Sequence, residues 1–452
     1  MKYKIKSGVT LLVFCFCFVN SLFSFNPKYS NWQSAGFYRG FNVLNENIKT
    51  QQDFFDLRNS GANFAQLGCF GFNEVTFPYS LIQSNINEMD SLVSFCRNAG
   101  IHYAIAVRQG PGRRDVYLES NYLASASTIW TNSVEQQLYA GMLKSIALRY
   151  SNDSLFAGIN MIVEPNPMFD SPYIINPTLL QFGLNSNGID LNTIYNTIID
   201  SIRSADAFLP VIAENVAYSN PEYFSIMQPV NDPYIVYDFH CYAPQQFTGE
   251  SVPFAQTYPG DYFSMSAYSI QQYNKSFLET VTLQNIIAFQ QLTSAPVIMG
   301  EFGLKNPQNG GELFLSDLAD IAVCQGWHFA LWDYRRGSSE WNYEQMGNSY
   351  WTTVQNMFVA NCSELGVNET QKNKLQINIF PNPSDGKFEI VSQNENADFG
   401  IKVLDARGKM VYESMILQSH ASVDLTFLNS GMYFYLLQNE QGIIGSGKIV
   451  IQ

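Results

Sequence analysis

Eight short apolar runs punctuate the chain between residues 35 and 334, and each closes at or just before polar or charged residues. They read AGFYRGFNV, ANFAQLG, HYAIAVRQ, FAGINMIVE, PVIAEN, YIVYDFHCY, PVIMGEFG and GWHFALWDY. Between them lie segments such as INEMDSLVSFCRNAG, SVEQQLYAGMLKSIALRY, LNTIYNTIIDSIRSA and ELFLSDLADIAVCQG, whose apolar residues recur at the helical spacing of three and four. Runs that are apolar throughout suit parallel strands buried on both faces. Eight strand and helix repeats in succession are what an α/β chain needs to close a (β/α)8 barrel, here predicted over residues 25–360. The competing architecture is an open doubly wound sheet. It calls for a glycine-rich phosphate loop after an early strand, and PGRR after the third run is no such loop.

In a barrel of this kind chemistry gathers at the rim formed by the C-terminal strand ends. The fourth run reaches that rim at Glu164, where Pro165 and Pro167 stop the strand and hold the next loop extended. One such carboxylate could simply mark a strand end. The seventh run, however, repeats the construction with Glu301 between Gly300 and Phe302, which sets two glutamates facing each other across one mouth. Paired carboxylates are the equipment for glycosidic bond cleavage, one protonating the departing oxygen and the other attacking the sugar carbon. His240 and Tyr242, at the end of the sixth run, are candidate hydrogen-bond donors to them.

The chain carries a formal net charge of -14, with no concentrated basic face, which argues against a nucleic-acid partner. Its 15% aromatic content suits either a large core or stacking on sugar rings. Lys2, Lys4 and Lys6 precede an apolar stretch from Val9 to Val19, and Ser21 and Ser24 follow it, the pattern of a secretory signal peptide over residues 1–24. The apolar stretch is short for a membrane anchor, so no membrane span is expected in the mature protein. Beyond it, Cys69, Cys96, Cys241, Cys324 and Cys362 form an odd, scattered set without zinc spacing, and are expected mostly as buried small hydrophobes. No metal or organic cofactor and a monomeric state are expected.

Residues 361–374 are polar and aperiodic, and are assigned as a linker. From 375 to 452 the pattern changes to short alternating strands separated by Asp-Gly, Arg-Gly and Ser-Gly turns, which predicts a small all-β sandwich.

Several motifs together resemble glycoside hydrolase family 5, the cellulase-like retaining β-glycanases. They are RGFN at 39–42, EP at 164–165, FHCY at 239–242, GEFG at 300–303 and ALWDY at 330–334. The resemblance implies that Glu164 is the acid/base, Glu301 the nucleophile, His240 and Tyr242 an active-site pair, and Trp332 the platform under the sugar at the cleavage point. Arg39 enters the candidate set through RGFN. Two positions depart from the family pattern. Val163 stands where Asn usually precedes the acid/base, and Gln66 where Arg usually ends strand two; Arg108, on the next strand, is the candidate replacement cation. The tail resembles the C-terminal sorting domain of the type IX secretion system, through FPNPSDGKFEI, LDARGK, SGMYFYLL and KIVIQ. A carbohydrate-binding module is the alternative, although the tail has no tryptophan.

These readings converge on a secreted or cell-surface retaining β-glycosidase. Its expected partners are a β-linked oligo- or polysaccharide and the secretion machinery. β-1,4-Glucan is the first choice of substrate, with mannan, xyloglucan and small β-glucosides behind it. A surface glycan-binding protein without turnover is the reading from another class, and Val163 and Gln66 are what favour it.

Overall fold

The computed structural model describes residues 26–44, 49–115, 127–168, 176–249, 256–264, 267, 269–335, 339–362, 377–392, 399–405, 410–416, 420–439 and 442–452. The expected signal peptide, 1–24, and the linker from 363 onward lie outside the described residues. The chain divides into two compact units, Met1–Cys362 and Ser363–Gln452.

In the first unit, among the described residues, eight parallel strands close a barrel: β1 (Arg39–Val43), β2 (Phe64–Cys69), β3 (His102–Val107), β4 (Phe156–Asn160), β5 (Val211–Glu214), β6 (Ile235–Cys241), β7 (Val297–Phe302) and β8 (His328–Leu331). Each apolar run supplies one strand, and strands adjacent in sequence are adjacent in the barrel. Helices follow most of them, among them Gln83–Ala99 after β2, Ser133–Tyr150 after β3 and Gly311–Cys324 after β7. The helix Leu191–Arg203 shows the local logic. Asp190 accepts from the Asn192 N–H to cap its start, and Ile194, Tyr195, Ile198, Ile199 and Ile202 bury one stripe.

Alternation along the strands sorts side chains into two environments. Tyr103, Ile105 and Val107, or Tyr237, Phe239 and Cys241, face the surrounding helices. Their neighbours face the barrel axis, where Tyr38, Phe64, Ala104, Ala157, Ile212, Val236, Ile298 and Ala330 fill the lower end with Trp32. Two glycine bulges break the alternation. On β4 the register with β3 slips between Phe156 and Gly158, and a Cβ on Gly158, at φ 154°, would lie 2.6 Å from the Pro210 carbonyl oxygen. On β7 it slips at Gly300, with Phe239 opposite Met299 but His240 opposite Glu301. Strict alternation would turn Glu301 outward with Met299. The extra residue turns it toward the axis.

The second unit is antiparallel. Its strands are β9 (Ile377–Phe380), β10 (Lys387–Ser392), β11 (Phe399–Leu404), β12 (Met410–Ile416), β13 (His420–Asp424), β14 (Gly431–Asn439) and β15 (Gly442–Ile451). They form the sheets β9-β10-β13 and β12-β11-β14-β15. Phe388 and Ile390 of one sheet share a core with Ile401, Val403, Leu437 and Ile449 of the other, which makes a sandwich.

The cysteines need one correction. Cys69, Cys96 and Cys241 are buried free thiols, as expected, but Cys324 and Cys362 form a disulfide. It ties the end of the helix Gly311–Cys324 to the segment after the helix Asn348–Val359, a proximity that two cysteines 38 residues apart do not announce. No helix among the described residues is long and apolar enough to cross a membrane.

Candidate active site

The axis-facing residues change character toward the C-terminal strand ends. Above the apolar floor comes a buried polar layer of Asn42, Gln66, Asn160, Glu214 and Asp238. Asn42 Nδ2 donates to the Gly300 carbonyl at 2.7 Å, and Gln66 Nε2 donates to Asn42 Oδ1 at 3.2 Å. Asn160 Nδ2 donates to Glu214 Oε1 at 2.6 Å and to Asp238 Oδ2 at 2.9 Å, and the Gly300 N–H donates to Asp238 Oδ1 at 2.8 Å. Burial, with Glu214 alongside, pushes the Asp238 carboxyl well up.

On this layer stand Arg108, Glu164, His240, Tyr242, Glu301 and Trp332. The β6 pattern explains three levels at once, since Val236, Asp238, His240 and Tyr242 follow one another at every second residue. His240 Nδ1 lies 2.8 Å from Glu164 Oε1 and 3.6 Å from Glu301 Oε2, and its Nε2 lies 3.5 Å from Glu214 Oε1. Tyr242 donates its hydroxyl to Glu301 Oε2 at 3.0 Å. Arg108 pairs through Nη2 with Glu301 Oε1 and through Nη1 with Asp115 Oδ2 at 3.4 Å. Its guanidinium lies 4.9 Å from the Trp332 ring centroid.

These surroundings separate the two glutamates. Burial raises the Glu164 carboxyl to about 7, with the Glu301 charge adding to the rise and His240 and Arg108 opposing it. Glu301 instead has a guanidinium and a phenol as direct partners. Burial works against a charge on His240, but Glu214 and Glu301 outweigh it and hold the imidazole proton well above the usual histidine range. Glu164 also departs from ordinary backbone geometry. Regular β4 pairing ends at Asn160, the chain continues to the rim through the Met161 N–H to Ile212 and Val163 N–H to Val107 bonds, and Glu164 sits at φ 50°.

Glu164, His240 and Glu301 present ligand-type atoms within 4.8 Å of one another, as do Glu214, Asp238 and His240. A cation in either group would require a neutral histidine. Within the first group Arg108 already pairs with Glu301.

Residues 30–357 match the family model for cellulase, glycosyl hydrolase family 5. The chain belongs to glycosyl hydrolase family 5. Endoglucanase C of Acetivibrio thermocellus is 22% identical over 316 residues, 61% of this chain and 81% of that protein. Cellodextrinase A of Ruminococcus flavefaciens is 23% identical over 194 residues, 40% of this chain and 51% of that protein. The fold is shared with Thermotoga maritima Cel5A solved with mannotriose, at a TM-score of 0.53 and 13% identity over 74% of this chain and 99% of that one. Residues 378–452 match a secretion system C-terminal sorting domain, which directs this family 5 glycoside hydrolase through type IX secretion to the cell surface or exterior.

The remaining candidates of the family 5 barrel divide by position. Trp332 joins Leu44 and Trp341 at the mouth, with Phe70 and Tyr242 packed against them. Phe72 and Trp130, which follow strands β2 and β3, lie in the core between strands and helices. Gln66 is one level below the glutamates, bonded to Asn42 and the Gly300 carbonyl, and Arg108 occupies the position beside Glu301. Arg39 is corrected outright. As the first residue of β1 it lies at the opposite end of the barrel, where its guanidinium donates to the Gly36, Phe358 and Ala360 carbonyls. Val163 contributes backbone only, its carbonyl accepting from Arg113 Nη2 at 2.9 Å. Sequence reasoning did not single out Asn42, Asn160, Glu214, Asp238 or Arg113. The available signal was period two: Asp238 stands two residues before His240, and Glu214, near the end of PVIAEN, pairs in register with Asp238.

Proposed function

We propose that this hydrolase cleaves β-1,4-linked glucan with retention of anomeric configuration, through Glu164 as acid/base and Glu301 as nucleophile. The supporting observation is the convergence of one Glu164 oxygen and one Glu301 oxygen on His240, all within 4.8 Å. That closeness suits the spacing of about 5–5.5 Å between the carboxyl groups of retaining enzymes better than the roughly 6.5–9.5 Å of inverting ones. Glu301, turned by Tyr242 and steadied by Arg108, attacks the anomeric carbon as Glu164 gives its proton to the departing oxygen. Glu164 then takes a proton from water, and the water oxygen displaces Glu301 from the sugar. A carboxyl titrating near 7 is suited to both halves of this cycle.

The relatives named as endoglucanases support β-1,4-glucan as the substrate, and Trp332 at the mouth offers an apolar ring face for a pyranose. Mannan is the second substrate, because a structural neighbour was solved with mannotriose. The N-terminal segment 1–24 acts as the export signal ahead of the sorting tail. The test is reducing-sugar release from soluble β-1,4-glucan, β-mannan and xyloglucan by the purified protein and by Glu301→Gln. Release is expected to be fastest from β-1,4-glucan and lost in the variant. Cleavage confined to mannan would overturn the substrate, and an active Glu301→Gln would overturn the mechanism.

A further inference from the structure

The peptide of Glu164 is held from both sides by buried charged groups. Its N–H donates to Glu214 Oε2 at 2.7 Å, and its carbonyl accepts from Arg113 Nη2 at 3.3 Å. Glu214 is fully buried and Arg113 nearly so. At φ 50° Glu164 adopts a backbone conformation that residues with side chains seldom take, and that persists where surrounding bonds impose it.

Glu214 also reaches the other end of the same residue. Its Oε1 lies 3.5 Å from His240 Nε2, and His240 Nδ1 lies 2.8 Å from Glu164 Oε1. One carboxylate therefore touches the Glu164 backbone directly and its reactive oxygen through a single imidazole. Glu214 has little freedom to move. Asn160 Nδ2 donates to its Oε1 at 2.6 Å, and the Tyr195 hydroxyl donates to its carbonyl at 2.6 Å and accepts from its N–H at 3.2 Å.

We propose that Glu214 is a positioning residue for proton transfer. From beneath the pocket it sets the backbone rotation of Glu164 and the ring plane of His240, so that the Glu164 proton meets the glycosidic oxygen. Glu214 lies a level below the substrate and acts only through these two residues. The inference rests on Glu164 being the acid/base.

Glu214→Gln is the informative variant. Both Glu214 oxygens accept from N–H groups, Oε2 from Glu164 and Oε1 from Asn160, so an amide of the same size must set a donor against a donor on one side. The ratio kcat/KM is measured on two substrates with the full chain: an aryl β-cellobioside with a dinitrophenolate leaving group, which departs without protonation, and cellotetraose, whose sugar leaving group needs it. Displacing a general acid by a fraction of an ångström costs roughly 10–100-fold, and only where protonation matters. Glu214→Gln is therefore expected to lose that factor on cellotetraose and less than about threefold on the aryl substrate. Equal losses on both substrates, the mark of a merely structural role, overturn the inference, and so does no loss on either. Glu164→Ala serves as the reference. If it lacks the same selectivity, the two-glutamate reading falls and this inference with it; if it shows the selectivity and Glu214→Gln does not, only this inference falls. Should Glu214→Gln fail to fold, as judged by circular dichroism, Arg113→Lys carries the test from the carbonyl side with the same expected and overturning outcomes.

Discussion

Replacing Gly300 with Ala would place a Cβ 2.1 Å from Asp238 Oδ1 and 2.2 Å from Oδ2, far inside van der Waals contact. Asp238 cannot swing aside freely, because Asn160 Nδ2 holds one of its oxygens at 2.9 Å and the Gly300 N–H holds the other at 2.8 Å. Either the carboxyl moves and loses a buried hydrogen bond, or the bulge that turns Glu301 inward gives way. Overpacking costs about 1–3 kcal/mol and a buried hydrogen bond left unmade a similar amount, so the variant should lose about 2–6 kcal/mol. For a barrel of this size that corresponds to a drop in Tm on the order of 3–9 °C. A Glu301 displaced by about 1 Å should also lower kcat by roughly 100-fold. Thermal unfolding followed by circular dichroism, with kcat on β-1,4-glucan, measures both. Gly141, in the helix Ser133–Tyr150, has nothing within 4 Å of the point an added methyl would occupy, so Gly141→Ala is the control, neutral or stabilising by about 0.4–1 kcal/mol. An unchanged Tm and full activity in Gly300→Ala would refute the reasoning about the bulge.

The pH dependence follows from Glu164. Its carboxyl is protonated below about 7, so kcat/KM should fall as pH rises through that value, and NMR titration of Glu164 in Glu301→Gln should give a lower value because the neighbouring charge is gone. The folded state holds this proton where an ordinary unfolded carboxyl has released it. The Glu164 contribution to unfolding free energy therefore decreases as pH rises between the usual carboxylate range and about 7, which denaturant titrations at several pH values would register. The disulfide closes a loop with a sequence separation of 38, for which chain entropy gives about 4 kcal/mol, so Cys324→Ser with Cys362→Ser should lower the denaturant midpoint of the barrel; an unchanged midpoint would count against a stabilising role.

The barrel was legible because parallel strands buried on both faces leave continuous apolar runs, and the glutamates because they end two of those runs with a charge. What stayed hidden has a common cause. Glu301 faces the axis through a register slip at Gly300, and a glycine in a strand does not say which way the next residue turns. Asp238 and Glu214 sit within or at the close of apolar runs, where a carboxylate looks like a strand end unless the interior is known to hold a second polar layer. Arg39 was misplaced for a related reason. It opens its strand, and in a parallel barrel the first and last residues of a strand lie at opposite ends. Arg108, by contrast, was a candidate cation from the sequence, and the structure sets it beside Glu301 because β2 and β3 are neighbours, with Gln66 opposite Ala104 and Arg108 extending beyond Val107.

The central claim is that Glu301 attacks the sugar while Glu164 moves the proton. An activated 2-deoxy-2-fluoro-β-cellobioside tests it directly, since fluorine slows both chemical steps while a good leaving group preserves the first. Peptide mass spectrometry after incubation should find the fluorosugar on the peptide that contains Glu301, with the natural substrate giving β-configured product by NMR. A fluorosugar attached to another residue, or α-configured product without any adduct, would contradict the account.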